Sequence, residues 1–100
     1  MSRDKIFQVA KETTISNIVA IRENLTRCVD EGMVDLNAEY YNELLLLEDE
    51  GSLAQSWDEL EEVITKAKTL EVDVAAWLAN HGQTSISIPW PRPPVSLSKN

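Results

Sequence analysis

The chain reads as all-α: an elongated helical bundle of two long helices and one short helix, with a proline-rich C-terminal arm. Three observations predict this. All four prolines, Pro89, Pro91, Pro93 and Pro94, lie near the C-terminus, so the body is free of the residue that most strongly breaks helices. Apolar residues of the body recur at intervals of three and four. The glycines Gly32, Gly51 and Gly82 stand where helix ends are needed. Residues 1–82 therefore read as a helical bundle domain and 83–100 as an arm.

The first helix is expected over residues 3–31. Phe7, Thr14, Ile21 and Cys28 recur every seven positions, interleaved with Ile18 and Leu25. Val9, Ile15, Val19 and Val29 widen the stripe beyond a two-stranded seam, which suits packing against at least two neighbours. The β-branched cluster from Thr13 to Ile21 makes a local strand the rival reading. The polar pattern of Lys11, Glu12, Arg22, Glu23 and Arg27 favours helix. A second, short helix is expected from a cap at Asp35 or Asn37 to about residue 50. Tyr41, Leu44, Leu45 and Glu48 mark one face of it, and Tyr40, Leu47 and Leu36 another. The leucine run over residues 44–47 places apolar surface all round one turn, more than a single buried stripe requires.

Gly51 is expected to end that helix, with Ser52 starting the third almost at once. Ser52 with Gln55, and Ser56 with Glu59, both fit the capping-box pattern. Asp58, Glu59, Glu61 and Glu62 then crowd the first turns, where the helix dipole favours negative charge. Trp57, Leu60, Ile64, Ala67, Val74 and Leu78 keep the 3–4 spacing towards Gly82, with Glu71 the charged intruder in the stripe. Two helices of about 28 residues would each be about 42 Å long at ~1.5 Å per residue. Such a body is elongated, and one short helix leaves flanks bare. A homodimer that covers them is expected.

The net charge of −8 is unevenly placed. Residues 1–34 balance, residues 35–82 set twelve acids against Lys66 and Lys68, and the arm adds Arg92 and Lys99. A field of that sign repels nucleic acid and anionic lipid and attracts basic protein surfaces. No direct nucleic-acid or membrane partner is expected. The opening residues mix both signs of charge before any apolar run, unlike a secretory leader, and a cytoplasmic location is the default.

Catalytic chemistry has little to stand on. The single Cys28 sits among apolar helical positions and reads as a small buried hydrophobe. His81, beside Gly82, reads as a cap for helix-end carbonyls rather than a base. Leu78 occupies the position where a Glu-x-x-His pair would need its carboxylate, and no phosphate loop or Gly-x-Ser-x-Gly motif is present. No enzyme activity, cofactor or metal is expected.

Two surfaces remain as candidates. The arm alternates Ile86 and Ile88 with serines, then sets Trp90 and Arg92 among prolines in a stretch expected to be polyproline II. Ile86, Ile88, Trp90, Arg92 and Pro94 are the candidate partner-binding residues there, with Leu44 and Leu47 as a second contact. The alternative destination for Trp90 is the chain's own body, because a tryptophan between prolines is costly to leave exposed. The second candidate is an acidic face of Glu48, Asp49, Glu50, Asp58, Glu59, Glu61 and Glu62. The arm points to a non-enzymatic protein–protein interaction module, an adaptor or assembly factor. The acidic face points to an inhibitor or antitoxin-like protein that blocks a basic nucleic-acid-binding protein or nuclease.

Overall fold

The computed structural model describes residues 3–32, 35, 37–83 and 88–91. These form three helices, α1 (Arg3–Asp30), α2 (Ala38–Leu53) and α3 (Trp57–Asn80). The molecule is elongated as the helix lengths require, with extents of 45 × 24 × 20 Å. Contacts between helices fix an up-down-up order. Lys11 Nζ on α1 donates to the carbonyl of Ala54 beyond the end of α2, while Arg22 reaches back to Glu48, so α1 and α2 are antiparallel. Lys66 on α3 pairs with Glu50 and Phe7 packs edge-on against Trp57, which makes α3 antiparallel to α2 and parallel to α1.

The β-branched stretch of α1 is helical. Thr14 and Thr26 donate their hydroxyls to the carbonyls four residues back, Ala10 and Arg22, so Thr14 can be buried in an apolar seam without an unmet hydrogen bond. Gly32, at φ +73°, ends the helix by returning its N–H to Val29. Asn37 caps α2 by accepting from the Tyr40 N–H.

The α2–α3 boundary differs from the expected one. Gly51 is not a stop: α2 continues through it to Leu53. Gly51 is buried, and a Cβ there would lie 3.3 Å from Ile15 Cγ1 and 3.7 Å from Val63 Cγ1. The glycine is a point of close helix approach. Of the two capping boxes, Ser56 with Glu59 is the one formed. Ser56 Oγ accepts from the Glu59 N–H, and the Glu59 carboxylate accepts from the Gln55 N–H at 2.7 Å. The third helix therefore starts at Trp57 and is shorter than expected. It ends as expected at Gly82, at φ +76°, with Gln83 N–H on the Leu78 carbonyl and Gly82 N–H on that of Ala79.

The main core runs along Ile18, Ile21, Leu25 and Cys28 of α1, Leu44 and Leu47 of α2, and Val63, Ala67, Leu70, Val74 and Leu78 of α3. A smaller cluster of Ala10, Ala54, Leu60 and Ile64 closes the Phe7–Trp57 end. Among the described residues every buried side-chain polar atom has a hydrogen-bond partner. No helix among them is long and apolar enough to cross a membrane.

Candidate functional site

Three parts of the molecule bear on function, and each is set by the phase of a helix. The first is the seam between α1 and α3. Ile88 packs on the main core, and Trp90 packs on both clusters. Two hydrogen bonds hold this segment across the seam: Asn17 Nδ2 of α1 donates to the Pro89 carbonyl at 2.9 Å, and Trp90 Nε1 donates to Glu71 Oε1 of α3 at 2.9 Å. Glu71 has thereby a reason to stand in an apolar stripe, because it receives the polar edge of an indole whose ring is partly buried against the core. Residues 88–91 act as a strap over the protein's own body. Ile86, Arg92 and Pro94 lie outside the described residues.

The second part is the leucine run. Leu44 and Leu47, expected as a partner contact, are core residues at 0% and 5% exposure. Tyr40 and Leu44, then Leu47, Gly51 and Ala54, follow the inward line of α2, so the neighbouring leucines are turned outward. Leu46 is 61% exposed and Leu53 69%, with Leu45 also exposed. These are the apolar side chains of α2 that the bundle itself does not use.

The third part is the acidic face, which divides into structural and surface members. Glu48 is half-buried and grips the Arg22 guanidinium, Nε to Oε2 and Nη2 to Oε1, tying α1 to α2. The hydrogen bond that Arg22 donates to Glu48 holds the Arg22 pKa above its ordinary value, against the smaller opposing effect of burial. A base whose folded pKa is raised contributes its stability below the unfolded value, so this share is lost only in strong alkali. Glu50 pairs with Lys66 at 3.4 Å across α2 and α3, and Glu59 is engaged at the cap of α3. Asp49, Asp58, Glu61 and Glu62 are exposed.

Between α2 and α3 these features meet. An open trough of about 470 Å³ is lined by Glu43, Leu46 and Glu50 on one side and by Lys66, Thr69 and Asp73 on the other. A second hollow of about 300 Å³ continues it past Leu53, Glu59 and Glu62, sharing Glu50 and Lys66 with the first. Sequence reasoning missed Leu46, Leu53, Glu43 and Asp73 as members of one surface. The signal was the inward line through Gly51, which sets the phase of α2 once that glycine is read as helical.

His81 makes the helix-end contact expected of it: its Nδ1–H donates to the Trp77 carbonyl at 2.8 Å, and its ring lies against that indole. Cys28 is buried. Among the described residues no group of three or more His, Cys, Asp or Glu side chains is placed to hold a metal ion.

Fold and surface together define an acid-rich three-helix bundle, strapped on one flank and open on another. No protein-family model matches the chain, and neither the curated proteins nor the solved structures contain a significant match to it.

Proposed function

We propose that this chain is a non-enzymatic protein-interaction module, an adaptor or assembly factor, whose contact surface is the outer side of α2. The observation that carries the reading is the exposure of Leu46 and Leu53 along the α2 lip of the trough. Large aliphatic side chains on one short helix, bordering a trough, make the kind of apolar patch with a polar rim that marks protein contact sites. The inward packing of Trp90 favours the helical body over the arm as the recognition surface, since an indole engaged with Glu71 is not free to enter a partner's groove.

The test is partner capture from host lysate by three full-length proteins: the natural chain, Leu46→Ala/Leu53→Ala, and Trp90→Ala. Loss of a specific partner in the leucine variant, at unchanged thermal stability, with retention in Trp90→Ala, is the expected result. Loss in Trp90→Ala alone would move the contact to the arm. Retention by both would contradict the α2 surface.

A second reading, an acidic inhibitor of a basic protein, draws on the exposed Asp58, Glu61 and Glu62 at the start of α3. Salt separates the two. Docking by carboxylates alone weakens steeply as ionic strength rises, whereas apolar docking hardly changes.

A further inference from the structure

We propose that the α2–α3 trough is a docking site for a basic amphipathic helix of a partner protein, an inference that rests on the interaction reading above and gives the partner its chemistry. The spacing of the lips is the first argument. Glu43, Leu46, Glu50 and Leu53 line one side at intervals of three, four and three. Glu59, Glu62, Lys66, Thr69 and Asp73 line the other at intervals of three, four, three and four. These are the periods at which one helix meets another, so an added helix would continue the packing of the bundle as its fourth member. The ten-residue span of α2 from Glu43 to Leu53 is about 15 Å long, room for nearly three turns. A polyproline segment fits less well, because such segments dock on aromatic grooves and neither hollow is lined by an aromatic side chain.

Charge decides the sign of the occupant. The lips carry Glu43, Glu50, Glu59, Glu62 and Asp73 against Lys66, and that lysine is already turned to Glu50. A helix bearing Lys or Arg on either side of an aliphatic stripe meets carboxylates on both lips while its stripe covers Leu46 and Leu53. A second copy of this chain is disfavoured by the same feature. A twofold contact sets a surface against itself, and here it would lay one acidic rim on another. The full chain carries −8, with the excess acid in residues 35–82, so the repulsion is not offset from within the body.

The experiment uses calorimetric titration of the full-length protein with three synthetic peptides of about 15 residues. One has leucines at helical 3–4 spacing flanked by Lys and Arg, one replaces those bases with Glu, and one scrambles the basic sequence so that no stripe forms. The expected result is binding of the basic striped peptide, about tenfold or more tighter than either control. That affinity should fall about tenfold in Leu46→Ala/Leu53→Ala, and fall with a flatter salt dependence in Glu43→Gln/Glu62→Gln. Equal binding of the scrambled peptide would overturn the proposal, because a diffuse polyanion needs no groove. So would indifference to the leucine variant, or absence of binding. Light scattering is run alongside: a dimer that the leucine variant dissociates would give the trough to a second copy and refute a basic partner. If the peptides fail while the leucine variant still loses its captured partner, the basic-helix proposal falls and the interaction module stands.

Discussion

Helix α3 makes two seams that the short α2 cannot both cover, and the molecule treats them differently. Against α1, the seam is closed from within by residues 88–91, with Trp90 laid over both core clusters and fixed to Glu71. Against α2, the seam is left as a trough whose lips are exposed leucines and carboxylates. The apolar surplus of the sequence thus has two fates. Where the chain supplies its own cover, a carboxylate in the stripe serves as a hydrogen-bond acceptor. Where no described residue covers the leucines, carboxylates border them.

The contrast is tested most forcefully by truncating an inward and an outward leucine of the same run. Leu44→Ala should cost about 3 kcal/mol, the range for a fully buried leucine left as a cavity. Leu46→Ala should change stability by no more than about 0.5 kcal/mol. Chemical denaturation of the two variants measures both, and equal losses would mean that α2 is rotated from the phase described.

Removing the strap's anchor comes next. Trp90→Ala should cost about 2 kcal/mol, less than a fully buried tryptophan because the indole is only partly covered. In a chain of this size that lowers the melting temperature by roughly 10 °C. An unchanged melting temperature would mean that the α1–α3 seam needs no strap.

A smaller effect isolates the hydrogen bond. Glu71→Ala should cost about 1 kcal/mol by leaving the indole N–H without its acceptor, and Glu71→Gln should recover most of it. If Glu71→Ala were stabilising, Glu71 would be an ordinary charged intruder whose removal relieves the core. Smallest of all, Glu43→Gln or Asp73→Asn should leave the melting temperature unchanged, since these carboxylates border a surface the monomer leaves open.

Much of this architecture was legible in the residues. The heptad line from Phe7 to Cys28, the Asn37 cap and the glycine end at Gly82 are local signals, and α1, the start of α2 and the end of α3 stand where those signals put them. The α2–α3 boundary was less legible because Gly51 carries two meanings, a stop or a close approach. Only the facing Ile15 and Val63 decide between them. That one residue had a long reach. Reading α2 as ending at Gly51 hid the line through Leu47, Gly51 and Ala54, and with it the outward turn of Leu46 and Leu53. Leu44 and Leu47, the leucines the sequence offers as contacts, are buried, and Leu46 and Leu53 are exposed. The acidic face was visible as composition, but which carboxylates hold the fold depends on partners distant in sequence. Glu48 meets Arg22, Glu50 meets Lys66, and Glu71 meets Trp90.

The most direct test of the contrast between the closed and the open seam is a nitrogen–proton correlation titration of the labelled full-length chain with the basic striped peptide. It reads both seams in one sample, because the Trp90 indole N–H and the Asn17 side-chain amide report on the strap while backbone amides report on the trough. The account predicts shifts concentrated at Leu46, Glu50, Leu53, Thr65 and Thr69, with Asn17 and the Trp90 indole still. Movement of the Trp90 indole and the Asn17 amide, with α2 and the facing side of α3 quiet, would contradict it.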